Sequence, residues 1–104
     1  MDTLVKLIEQ WSVDKKINEA DSSKQMLKVV EETGEIAAAL ARSDKEALKD
    51  GIGDVIVTLI ILAQQNNMTL QECLEFAYDE IKNRKGETVN GVFVKESDLE
   101  EESE

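Results

Sequence analysis

The chain has 104 residues, 41% of them hydrophobic, with 23 acidic and 12 basic side chains and a formal net charge of -11. That length suits one small domain burying roughly 60–70% of its unfolded surface, and the apolar fraction is too high for a disordered chain. The acidity argues against general binding to nucleic acid or to an anionic membrane, which call for basic patches, and the absence of histidine removes the commonest general base and zinc ligand.

The lack of proline and the 5 glycines suit long unbroken helices. Over Asp2 to Lys16, the residues Leu4, Leu7, Ile8 and Trp11 recur at helical spacing between charges, which predicts an amphipathic helix. Asn18 to Ser23 is a polar connection in which Asp21, Ser22 and Ser23 are candidate caps. A second helix is expected over Ser23 to Ala41, with Met26, Val29, Val30, Thr33, Ile36, Ala37 and Leu40 forming one inward face. Arg42, Ser43 and Asp44 break it, with Ser43 a candidate cap for the next helix. So short a break makes the two helices antiparallel neighbours.

The third helix is expected over Lys45 to Asn66. Its second half, Val55 to Leu62, is apolar on every side, and its β-branched richness also fits a buried strand; the flanks KEALKD and AQQNN favour helix. The uncharged run Val55 to Ala63 is too short to span a bilayer. A helix apolar all round must be buried all round, and in so small a chain that points to another subunit. Thr69 caps a fourth helix, Leu70 to Asn83. Within it lies the single cysteine, Cys73, which excludes an internal disulfide; with no signal-peptide pattern, an intracellular, cytoplasmic setting is expected. Asn90-Gly91 marks a small hairpin or tight loop. Six acidic residues fall within 96–104, so that segment reads as a solvated, disordered tail beyond a domain over 1–95. The expected fold is therefore all-α. It is an antiparallel bundle of about four helices completed by oligomerisation, with a short irregular or hairpin-like C-terminal segment.

The chemistry has to come from carboxylates, amines, hydroxyls or one thiol. At about 100° per residue, Gln25, Lys28, Glu32 and Glu35 form a polar stripe bordering the apolar face of the second helix, with Glu31 further round. Asp50 and Asp54 are four apart and share a face of the third helix, and Asp54 opens into the apolar run, a costly place for an uncompensated carboxylate. When the two helices fold back about Ser43, Glu32 comes level with Asp54 and Glu35 level with Asp50. Like charges this close repel and raise one another's pKa, and an oxygen-rich cluster suits Mg²⁺ or Mn²⁺. Any one of these side chains taken alone is more often part of a solvated helix face.

Lys28-Val-Val-Glu-Glu-Thr-Gly-Glu35-Ile-Ala, followed by Asp50-Gly-Ile-Gly-Asp54-Val-Ile-Val, resembles the all-α nucleoside triphosphate pyrophosphohydrolases of the MazG type. Their pattern is EExxE on one helix and ExxD on the next. Glu31, Glu32, Glu35 and Asp54 match it, and the similarity runs back through Gln25 and Trp11 and forward to Ile81-Lys-Asn-Arg-Lys-Gly86. Gly51 departs from it, standing where the family has Glu; Asp50, one position earlier, faces Asp54. The resemblance implies Mg²⁺-dependent hydrolysis of a nucleoside triphosphate to monophosphate and pyrophosphate. Glu32, Glu35, Asp54 and Asp50 would be metal ligands, Glu31 would position water, and the catalytic set would be Glu31, Glu32 and Glu35. For the substrate, Gln25, Lys28, Lys82, Asn83, Arg84 and Lys85 are candidate contacts, and Trp11 is a candidate to stack on a base. Trp11 also fits a core position, and the basic residues at 82–85 also fit a helix C-terminus complementing its dipole. A homodimer or homotetramer with no nucleic-acid or membrane partner is implied. The competing readings are a non-catalytic acidic helical interaction module and a nucleotide sensor with weakened catalysis.

Overall fold

A computed structural model describes residues 2–98. It is mostly helical, with one two-stranded sheet. The chain forms two compact units, Met1–Cys73 and Leu74–Glu104. The expected tail lies largely in 99–104, outside the described residues.

The first unit starts with α1, Asp2–Asp14, which ends where Lys16 takes a left-handed conformation ahead of a 3₁₀ turn over Ile17–Glu19. Helix α2 spans Ser22–Ala41. Of the three candidate caps, Asp21 does the capping: its Oδ1 accepts from the Ser23 amide at 2.9 Å and the Ser23 hydroxyl at 2.7 Å. Those bonds hold its carboxyl below the ordinary value. At the other end the Ser43 amide donates to Leu40 O and the Asp44 amide to Ala39 O, the paired bonds of a Schellman motif. This motif needs a left-handed residue and takes Ser43, at φ 54. Ser43 is thus the closing residue of α2, not the cap of the next helix. That cap is Asp44, whose side chain accepts from the Ala47 amide at 3.1 Å.

Helix α3, Lys45–Gln65, is continuous through its β-branched half, which settles helix over strand. It closes with the same motif on Asn67, at φ 59. Two contacts fix α2 and α3 as antiparallel. The buried Gln25 amide donates to Thr58 O at 3.1 Å, and a Cβ built on Gly51 would lie 3.1 Å from Ile36 Cγ1. The glycine therefore lets the two backbones come close at the level of Glu35 and Asp50. The core is small: Val29, Ala39, Ile60, Ile61 and Ala63. Glutamine amides add polar ties, Gln64 donating to Glu9 O and Gln65 to Ile17 O, so α1 and the 3₁₀ turn are both fastened to α3.

Thr69 caps α4, Leu70–Ile81, accepting from the Glu72 amide at 3.1 Å and donating to the Glu72 carboxylate at 3.2 Å. In the second unit, β1 (Gly86–Val89) and β2 (Val92–Lys95) pair antiparallel, Gly86 opposite Lys95 and Val89 opposite Val92. Asn90 at φ 52 and Gly91 at φ 81 make the turn, as the Asn-Gly signal implies. The C-terminal segment is thus a true hairpin. No helix of the described residues is long and apolar enough to cross a membrane.

Candidate metal centre

The polar stripe of α2 turns one face of that helix into a row of carboxylates. Glu31, Glu32 and Glu35 each offer an oxygen within 4.8 Å of the others. The three differ in surroundings. Glu31 is exposed and held by Lys28 Nζ at 3.7 Å, a one-turn pair that contributes little by itself. Glu35 is exposed, while Glu32 is half-buried and feels the charge of Asp54 on α3. Its Oε2 is buried and has no hydrogen-bond partner.

From α3, Asp54 faces this row half-buried, with Asp50 one turn earlier and within hydrogen-bond reach of it. Burial pushes the Glu32 carboxyl up, and the like charges of Glu35, Asp54 and Glu31 push it further, against a small opposing pull from Lys28. Asp54 is raised for the same reasons, first by burial, then by the charge and hydrogen bond of Asp50 and the charge of Glu35. Of the four carboxylates expected to be level across the hairpin, Glu32 thus senses Glu35 and Asp54, and Asp54 senses Asp50 and Glu35. Their tightest group, however, lies along α2 and includes Glu31.

A buried carboxylate oxygen without a donor is uncommon in a native fold, and here the negative charges of Glu35, Asp54 and Glu31 outweigh the one opposing cation, Lys28. The donor set is all oxygen and hard, which fits Mg²⁺ or Mn²⁺. Beside it runs a cleft of ≈ 680 Å³ between α1 and α3, walled by Leu4, Val5, Ile8, Ile56 and Ile60 with Asp50 and Asp54 on its edge. An ion at the carboxylates would stand next to an apolar trough.

The other expected site residues are scattered. Gln25 is buried with its amide nitrogen engaged by Thr58 O. Trp11 sits on α1 at 48% exposure, free of the core role that its spacing also allowed. Lys82, Asn83, Arg84 and Lys85 belong to the second unit, where Lys82 pairs with Asp79 at 2.9 Å. One residue escaped sequence reasoning. Arg42 reads as part of a helix break, yet it lines a hollow together with Glu35 and Asp50. The available signal was its place seven residues after Glu35, on the same helical stripe.

The fold and site define a helical protein in which a hairpin of two helices carries an all-oxygen carboxylate cluster suited to a divalent cation. Residues 21–93 match the MazG nucleotide pyrophosphohydrolase domain, and the chain belongs to that family. It is also similar to an uncharacterised 18.2 kDa protein in the rep-hol intergenic region of Haemophilus phage HP1 (strain HP1c1), 39% identical over 66 residues. That stretch takes up 62% of this chain and 40% of the phage protein. No solved structure matches the chain.

Proposed function

We propose that the protein hydrolyses nucleoside triphosphates to nucleoside monophosphate and pyrophosphate, with Mg²⁺, or Mn²⁺ in its place, held by Glu32, Glu35 and Asp54 and by Asp50 as a fourth ligand. The observation that carries the reading is the orphaned, buried Glu32 Oε2, on a carboxyl that, like Asp54, is pushed up first by burial and then by neighbouring carboxylates. Such an arrangement opposes folding unless a cation resides there. When bound, the ion offsets the charge of the ligands and the polyphosphate and polarises the phosphoryl oxygens.

The chain's own residues supply the rest. Glu31, exposed at the edge of the cluster, orients the attacking water and takes its proton. Lys28, one turn away, is a phosphate contact on exchanging its Glu31 partner for substrate. Lys82, Asn83, Arg84 and Lys85 are further candidate contacts. Trp11, half-exposed on α1, offers a face on which a base can stack. Gln25 serves by holding α2 against α3. Homodimer or homotetramer formation is supported by the apolar residues that a single chain leaves uncovered on α3, Ile52, Ile56 and Leu59. The setting proposed is cytoplasmic, with the segment 96–104 a solvated acidic tail.

Incubation with Mg²⁺ and a panel of ribo- and deoxynucleoside triphosphates, scored by pyrophosphate release, tests this. Release that is lost in Glu35→Gln is the expected result. No release from any nucleotide, with Glu35→Gln indistinguishable from wild type, rules the enzyme reading out. A second reading, a nucleotide sensor, is favoured by Gly51, which stands three residues before Asp54 where the family pattern has Glu; nucleotide binding without turnover would select it.

A further inference from the structure

Between α2 and α3, on the turn side of the carboxylates, lies a hollow of ≈ 290 Å³. From α2 it is walled by Glu35, Ala38 and Arg42, spaced i, i+3 and i+7 and therefore on one face. From α3 come Ala47, Asp50 and Gly51. The hollow exists because Ala38, Ala47 and Gly51 put so little into it. Arg42 is the only cation in this lining. Although it shares the space with Glu35 and Asp50, it forms an ion pair with neither, whereas Lys28 pairs with Glu31 and Lys82 with Asp79. Nor does the turn need its side chain, because main-chain amides close α2, that of Arg42 donating to Ala38 O and those of Ser43 and Asp44 to Leu40 O and Ala39 O.

A guanidinium facing carboxylates without pairing to them keeps its fork of donors for another anion, and phosphate fits that fork best. We propose that Arg42 grips the far end of the bound polyphosphate, the part that leaves as pyrophosphate. The inference rests on the nucleotide reading above and names the residue that binds the leaving group. Arg42 lies seven residues beyond Glu35, about 10.5 Å along the helix axis at 1.5 Å per residue. Helical side chains lean toward the N-terminus, so the guanidinium reaches back over the hollow toward Glu35. A polyphosphate bound through the cation that Glu32, Glu35 and Asp54 would hold, and extended toward the turn, would meet it there. When water attacks, a new P–O bond forms on the monophosphate, the α–β anhydride bond breaks, and its electron pair departs on the pyrophosphate oxygen. The proton of the water passes to Glu31. Arg42 stabilises the charge that develops on the departing group.

The test uses the intact chain and its variants Arg42→Gln and Arg42→Lys. Mn²⁺ binding is followed by electron paramagnetic resonance. Calorimetry with Mn²⁺ present then measures binding of α,β-methylene nucleoside triphosphates of each base and of the matching monophosphates. In Arg42→Gln, Mn²⁺ and monophosphate affinities should hold, while the triphosphate analogue binds about ten- to hundredfold more weakly. Arg42→Lys should recover part of the loss. Triphosphate affinity within twofold of wild type in Arg42→Gln, or equal losses for mono- and triphosphate, would overturn the assignment. A wild-type chain that binds Mn²⁺ but no nucleotide overturns the nucleotide reading itself, and that failure is visible without any variant.

Discussion

Glu32 carries a buried oxygen with no donor and three like charges around it, and this has a consequence for stability. Glu32 and Asp54 both titrate above their ordinary values. Between the ordinary and the raised value the native state therefore holds more protons than the unfolded chain, so their contribution to stability falls as pH rises from about 4 upward. Asp21, lowered by its capping bonds, acts in the opposite sense: its contribution is present above the ordinary value and lost as pH falls. For the metal-free protein in EDTA, thermal scans of Glu32→Gln should show a higher Tm than wild type at pH 7, and the difference should shrink by pH 4.5. Adding Mg²⁺ should raise the wild-type Tm at pH 7 and raise it much less at pH 4.5, where protons compete for the ligands. Glu32→Gln should lose most of the Mg²⁺ increment. A wild-type Tm indifferent to Mg²⁺ at pH 7 would count against a metal centre. The wheel made Glu32, Glu35 and Asp54 legible as residues. It could not tell which glutamate oxygen is buried, because that depends on how closely α3 approaches.

That approach is governed by two contacts at the scale of the elements. The Gln25 amide crosses to Thr58 O in a buried setting, so Gln25→Leu should cost about 1 kcal/mol in urea unfolding and leave pyrophosphate release intact. Gly51 seats α3 against Ile36. Gly51→Ala needs only the end of the Ile36 side chain to give and gains helix propensity of about 1 kcal/mol, so its net effect should be close to zero. Gly51→Leu should cost about 1–3 kcal/mol by overpacking. Equal costs for Ala and Leu would contradict a close approach at this position. At the helix start, Asp21→Ala should cost about 1 kcal/mol and Asp21→Asn much less. The capping motifs were only partly legible. Thr69 and the Asn-Gly turn announce themselves, but Ser43 and Asp44 are adjacent polar residues, and the length of α2 decides which closes one helix and which opens the next.

For the whole molecule, what one chain leaves uncovered matters as much as what it buries. On α3, Ile52 is 47% exposed and Ile56 and Leu59, in its all-apolar half, are each 36% exposed, and Leu4, Leu7, Met26 and Val30 on α1 and α2 are also exposed. Exposed apolar side chains on three helices are the kind of surface that a second copy of the chain would cover. Sedimentation should give a mass that is a multiple of 11.6 kDa, and Ile56→Asp should shift it toward the monomer. A wild-type monomer at micromolar concentration would exclude the proposed assembly.

Periodicity and charge alone determined the helical class, the two long antiparallel helices and the carboxylates that face one another, because an amphipathic face and a short break leave a chain of this size few ways to fold. The motif residues Glu31, Glu32, Glu35 and Asp54 carried the MazG resemblance, from which Gly51 departs. Only the tertiary structure decided that Glu31 joins the carboxylate group, that Gln25 is a strut between helices, and that Arg42 opens onto a hollow beside Glu35 and Asp50. Each of those depends on the distance between two helices, and that distance is set by one glycine packed on Ile36, a contact that no single helix encodes.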